Sequence, residues 1–141
     1  ILEVVSSYRA GIILQHSKAT PNDMPVYQNL IEEIFDDLLC KIRLAENSGI
    51  SNIIVDPGIG FGKSRVDNLK IIDNIEDFYS LNKQIMIGIS RKRVLGVVDF
   101  DNDTKDALTL AYSYPLIKKG VDFLRVHNVK MHKTLLNSLP I

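Results

Sequence analysis

The chain has 141 residues, enough for one domain with a core and too few for two full ones. Its 17 Lys and Arg balance 17 Asp and Glu, so overall charge draws it neither to nucleic acid nor to an anionic membrane, and any basic site must be local. Hydrophobic residues at 45% and charged residues at 24% read as a soluble globular protein without a membrane span, and the single Cys40 excludes an internal disulfide and fits a reducing, cytoplasmic compartment. No signal peptide is visible in ILEVVSSYRA, and a start at Ile1 reads as a piece cut from something longer.

In chain order, residues 1–10 read as a helix. Four short apolar runs, each ending in polar or turn residues, follow at 11–17 (GIILQHS), 52–58 (NIIVDPG), 84–90 (QIMIGIS) and 122–128 (DFLRVHN). They read as buried parallel strands. Between the first two, Leu30, Ile31, Ile34, Phe35, Leu38, Leu39 and Ile42 repeat at helical spacing up to Gly49, which places Cys40 in or near the core. Val66, Leu69, Ile72, Ile75 and Tyr79 share a face of the next helix, with Asn82 turning the chain back. RKRVLGVV and the loop DFDNDT lead to a helix with Ala107, Leu108, Leu110, Ala111, Tyr114 and Ile117 on its apolar face, kinked at Pro115 and ended at Gly120. A last helix covers 129–138, with His132 on its surface. This α/β alternation predicts a parallel sheet with right-handed crossovers, either an open doubly wound sheet or part of a closed barrel. In both, function sits at the C-terminal ends of the strands.

The unusual residues fall there. Gln15, His16 and Ser17 follow the first strand, and Asp56 opens D56-P-G-I-G-F-G-K63 after the second. A phosphate-binding P-loop would need glycine where Pro57 stands, and a dinucleotide fingerprint would need glycine where Lys63 stands. What is left is a carboxylate followed by a glycine-permitted loop that can approach a flat ligand, with Phe61 available to stack. The plainer alternative is an Asp capping a turn. After the third strand, Ser90, Arg91 and Lys92 put cations where a helix should start, which calls for a compensating anion unless the pair is simply solvated. Arg125 and His127 alternate onto one side of the fourth strand and offer a donor fork and a further hydrogen bond to an anion, or a surface salt bridge.

Taken in order and spacing, DPGIGFGK, the strand ending GISRK with Gly96 beyond it, and FLRVHNV resemble the C-terminal half of the dihydropteroate synthases, folate-pathway enzymes targeted by sulfonamides. ILQHSKATP is similar to the fifth-strand segment of that family. The resemblance implies a (β/α)8 TIM barrel of which strands five to eight are present, with residues 1–141 as the C-terminal half of one pterin-binding domain. A whole barrel takes about 250 residues, so the chain has close to half.

The resemblance also implies a transferase reaction: 6-hydroxymethyl-7,8-dihydropterin diphosphate condenses with p-aminobenzoate to 7,8-dihydropteroate and releases diphosphate. It implies Mg²⁺, with its protein ligand outside this chain, and a homodimer at full length. Asp56 matches the family's pterin-binding aspartate, and Lys92 the lysine that bonds the pterin beside the p-aminobenzoate site. Ser90 and the helix start after it match the site for the p-aminobenzoate carboxylate, and Phe61 the aromatic beside its ring. Arg125 matches the arginine that stacks on the pterin and, with His127, meets the diphosphate; Gly88 matches a close approach of backbone to ligand. Lys92, Arg125 and His127 are thus the catalytic candidates. The sequence departs from the family at Gln15 and Ser17, where methionines are usual in and near the pterin pocket, and at Asn128, where aspartate is usual. His16 reads as a strand-end hydrogen-bonding residue and Lys63 as solvated. Two other readings stand beside this one: a corrinoid methyltransferase sharing the pterin-binding barrel, in which SRK and RVH are not expected together, and a non-catalytic half-barrel that pairs with another chain through its exposed sheet edges and inner face.

Overall fold

The computed structural model describes residues 1–18, 25–96 and 99–140. Within them the chain runs α1 (Leu2–Ser7), β1 (Ile12–Gln15), α2 (Leu30–Asn47), β2 (Ile53–Asp56), α3 (Arg65–Asp73), a 3₁₀ segment (Ile75–Leu81), β3 (Gln84–Ile87), a short 3₁₀ turn (Arg93–Leu95), α4 (Asn102–Lys118), β4 (Phe123–Leu124) and α5 (Val129–Ser138). The loop expected after ILQHSK and the end of RKRVLGVV lie outside the described residues.

The four strands form one parallel sheet in sequence order. Gln15 pairs with Asp56 at the C-terminal edge of β1 and β2. Side chains alternate across such a sheet. One face, carrying Leu14, Ile53, Val55, Ile85 and Ile87, is buried with Ile34, Leu38 and Ile42 of α2. The other face carries Ile13 and Phe123, which are 46% and 38% exposed. Asp56, Gly88 and Arg125 belong by alternation to that open face.

Each strand is shorter than its apolar run, because the polar tail of the run leaves the ladder. On β4 the departure is visible bond by bond: the N–H of Arg125 still donates to the carbonyl of Ile87 at 2.9 Å, but that of His127 donates to a side chain, Ser90 Oγ, at 3.2 Å.

The helices differ from their predicted faces in instructive ways. Cys40 is exposed, two residues and so about 200° around α2 from the buried Leu38. On α3 the buried face is Asn68, Ile71 and Ile72, while Val66 is 62% exposed and the helix gives way at Asn74 to 3₁₀. A reciprocal Ser64–Asp67 capping box starts α3 and fixes where it begins. α4 buries Asp106, Thr109, Ser113 and Leu116, and Tyr114 of the predicted apolar face is 45% exposed. α4 continues through Pro115 to Lys118; the proline removes one N–H without ending the helix, and its own carbonyl accepts the N–H of Lys119 at 3.0 Å. His132 is buried rather than at the surface, its Nδ1 3.0 Å from the carbonyl of Asn128 and its Nε2 3.0 Å from Ser113 Oγ.

Candidate active site

Asp56, the last residue of β2, is buried at 1% exposure. Its Oδ1 accepts the N–H of Gly58 at 2.8 Å and its Oδ2 lies 3.5 Å from Arg125 Nη2. Burial pushes its carboxyl pKa above the usual range; the Gly58 hydrogen bond and the charges of Arg125, Lys92 and Lys63 pull the other way. A desolvated carboxylate with donors on one side is poised to take N–H donors from a ligand on the other.

The loop after Asp56 is shaped by what lies beneath it. Gly58 has φ +77°, and a Cβ there would fall 1.9 Å from the carbonyl oxygen of His16. Asn68 on α3 accepts the N–H of Gly60 at 2.7 Å and donates to the carbonyls of Ser64 and Lys63 at 2.7 and 3.2 Å. Tyr27 donates to the carbonyl of Gly62 at 3.0 Å. Lys63 is not solvated: it is buried, and its Nζ donates to the carbonyls of Gly58 at 2.9 Å and Phe61 at 3.1 Å, bracing the loop from inside. Burial lowers its pKa to about 8. His16 is bonded through its main-chain N–H to the carbonyl of Asp56, but among the described residues its fully buried ring nitrogens have no partner. Burial, then the charge of Lys63, lowers its pKa to about 4, so the ring is neutral.

This loop presents Phe61, 37% exposed, to the residues after β3. Lys92 reaches across, its Nζ 4.7 Å from the centre of the Phe61 ring and 2.5 Å from the carbonyl of Ile59. Burial lowers its pKa, and Asp56 opposes that shift. Arg125 lies against the chain at Gly88, where a Cβ would come within 3.2 Å of the guanidinium. Ser90 Oγ lies 2.9 Å from His127 Nδ1. Lys92 borders two concavities, one of about 200 Å³ with Gly88, Ser90, Arg125 and His127, the other of about 580 Å³ with Phe61, Lys63 and Arg93.

The structure therefore brings Asp56, Phe61, Gly88, Ser90, Lys92, Arg125 and His127 to one rim. Gln15 stands level with Asp56 in the β1–β2 register. Arg91 is the exception: it turns away from the rim to Asp106, with Nε 2.7 Å from Oδ1 and Nη2 2.9 Å from Oδ2, so its charge is answered within the protein. That pairing holds the Asp106 carboxyl down to about 2. The supporting residues Asn68, Tyr27 and Asp106 carry no signal that the sequence reading used, and Lys63 was read as solvated; the Ser64–Asp67 spacing was the available signal for where α3 starts and hence for Asn68 in its first turn. Chemically, the rim offers a buried acceptor, four cationic or hydrogen-bonding side chains in Ser90, Lys92, Arg125 and His127, and an aromatic face, which suits a flat heterocycle carrying an anionic group.

A family model described as pterin binding enzyme matches residues 1–127. The dihydropteroate synthase of Bacillus subtilis is 35% identical over 130 residues, covering 90% of this chain and 44% of that protein. That of Staphylococcus haemolyticus is 33% identical over 144 residues, covering 99% and 52%. Among solved structures, dihydropteroate synthase from Thermus thermophilus in complex with 4-aminobenzoate superposes with a TM-score of 0.89 at 26% identity, covering 96% of this chain and 58% of that one. The Xanthomonas albilineans enzyme in complex with 7,8-dihydropteroate gives 0.83 at 27% identity, covering 99% and 55%. The chain spans about half the length of the curated relatives it matches.

Proposed function

The chain belongs to the pterin-binding enzyme family, its four βα units forming half of a (β/α)8 barrel, and from that premise we propose that it supplies half of a dihydropteroate synthase site. In this reading the amine nitrogen of p-aminobenzoate attacks the methylene carbon of 6-hydroxymethyl-7,8-dihydropterin diphosphate. The C–O bond breaks, its electron pair leaves on the diphosphate oxygen, and the amine gives up one proton as 7,8-dihydropteroate forms.

Each residue has a part in this. The Asp56 carboxylate accepts paired N–H donors of the pterin ring, and burial makes that contact selective because an unpaired carboxylate there is costly. Arg125, held flat against Gly88, covers the ring and with His127 meets the departing diphosphate, where fixed donors stabilise charge as it develops. Lys92, between the two concavities, bridges the pterin and p-aminobenzoate sides, and Phe61 packs beside the p-aminobenzoate ring. The carboxylate of p-aminobenzoate, and a sulfonamide in its place, belongs in the cleft next to Ser90 and Lys92. Gln15 lies in the pterin pocket beside Asp56. Pairing with a second copy at full length is part of the same proposal.

Magnesium does not fit the residues present. Among the described residues no three of His, Cys, Asp or Glu are grouped to hold a metal ion, and the rim is cationic; an ion would have to be held from outside this chain, and no step is assigned to it. No helix among the described residues is long and apolar enough to cross a membrane.

The observation that carries the reading is the buried Asp56 carboxylate facing Arg125 and Lys92 on the open face of the sheet. Calorimetric titration of the chain with the pterin diphosphate tests it. Saturable binding that weakens at least tenfold in Asp56→Asn supports the reading; no binding, or binding indifferent to that change, overturns it.

A further inference from the structure

Ser90 sits 6% exposed in the loop after β3, and among the described residues its hydroxyl makes two contacts, both to His127. One is with the main-chain N–H of His127 at 3.2 Å, which can only donate, so Oγ accepts it. The other is with Nδ1 of the same residue at 2.9 Å. A hydroxyl carries one proton, and among the described residues the only acceptor its contacts offer that proton is Nδ1, so the proton is directed there. We propose that Ser90 is a positioning residue that holds the His127 imidazole in its Nε2–H tautomer, with Nε2–H as the donor offered to an anionic oxygen in the cleft shared with Lys92 and Arg125.

Without this contact a neutral imidazole distributes its proton between two nitrogens, and only one of the two forms donates from Nε2. Ser90 removes that ambiguity before any ligand arrives. His127 itself is exposed, so the nitrogen not facing Ser90 is available to the cleft. The arrangement also redefines Ser90: while its proton is committed to His127, it has none to donate to a p-aminobenzoate carboxylate, and its contribution runs through the diphosphate side. The role assigned to Nε2–H rests on the proposed function; the tautomer does not.

The experiment is a long-range ¹H–¹⁵N correlation of the histidine rings in the ¹⁵N-labelled chain at mildly alkaline pH, where a free imidazole is neutral. His127 is assigned by the signals missing in His127→Gln. The expected pattern is a pyridine-type Nδ1 and a pyrrole-type Nε2 in the wild type, a mixture of tautomers in Ser90→Ala, and the wild-type pattern again in Ser90→Thr. A pyrrole-type Nδ1 in the wild type overturns the proposal without any variant having to fold, and an unchanged tautomer in a folded Ser90→Ala overturns it as well. Inorganic diphosphate added to the wild type is expected to shift the Nε2 resonance. The expected tautomer with no response to diphosphate overturns the diphosphate reading of the site and leaves the role of Ser90 standing.

Discussion

Asp106 grips Arg91 with both carboxylate oxygens, at 2.7 and 2.9 Å, and the same carboxylate accepts the side-chain amide of Asn128 at 3.1 Å. One acid on α4 thereby ties the turn carrying Ser90 and Lys92 to the residue that follows His127. The tie has a conformational purpose. Arg91 has φ +57°, a left-handed backbone that costs an ordinary residue about 1–3 kcal/mol, and it is held there by Asp106 and by Thr109, whose Oγ accepts its N–H at 3.2 Å. The resemblance puts an aspartate where Asn128 stands; here the carboxylate comes from position 106 and the amide from 128.

Moving the acid tests this brace. Asp106→Asn is expected to lower the melting temperature by several degrees, and the double change Asp106→Asn with Asn128→Asp to recover most of the loss, since aspartate also caps α5 well. A double variant no better than the single one would show that the place of the carboxylate matters and not its presence. The acid limb adds a second reading. The Asp106 pKa is depressed to about 2, so its contribution is complete above its ordinary 3.8 and is lost as pH falls between those values. Asp106→Asn flattens that stretch of the stability curve.

His16 acts in a different window. Its folded pKa of about 4 lies below the ordinary 6.5, so the unfolded chain binds the proton first and stability falls as pH drops from 6.5 toward 4. Urea titrations at several pH values are expected to show this decline in the wild type and to lose His16's share of it in His16→Leu, which keeps the site apolar. Equal slopes in the two proteins would mean the ring reaches a partner once protonated.

What was legible follows from which signals are local. The strands, α2 and the rim residues Asp56, Lys92, Arg125 and His127 were readable because apolar runs ending in charged or turn residues mark strand ends in a parallel sheet. The face of α4 was not. Apolar spacing chose Ala107, Leu110, Ala111 and Tyr114, while the helix buries Asp106, Thr109 and Ser113 because their partners Arg91 and His132 come from other elements. Lys63 misled differently: the carbonyls that satisfy it are only five and two residues back, but the loop has to fold over its own side chain to bring them there. Neither polar pairing between elements nor a loop folding over its own side chain leaves a periodic trace in the sequence.

The loop over His16 makes a sharp prediction about two glycines. Both have left-handed φ, +77° at Gly58 and +81° at Gly60, but the added Cβ at Gly58 meets backbone at 1.9 Å while that at Gly60 meets the flexible Lys92 Cδ at 3.1 Å. Gly58→Ala should therefore destabilise the chain by about 3 kcal/mol or more, above the roughly 1–3 kcal/mol of left-handed strain that Gly60→Ala carries. Chemical denaturation of the two variants measures the difference, and comparable losses would mean the turn at Gly58 shifts freely.

Gly88 separates binding from stability. Its φ is not left-handed, so alanine is tolerated by the backbone, but the added methyl would stand 3.2 Å from Nε and Nη2 of Arg125 and push the guanidinium off the chain. Because Arg125 is half exposed, with 52% of its side chain open, it can move without disturbing the core. Gly88→Ala is accordingly expected to leave the melting temperature nearly unchanged while weakening diphosphate binding about tenfold, a loss of about 1.4 kcal/mol. Isothermal titration with inorganic diphosphate, alongside Arg125→Ala, tests it. If Arg125→Ala weakens binding and Gly88→Ala does not, the guanidinium finds the anion from more than one position, and its resting place against β3 is not what prepares the site.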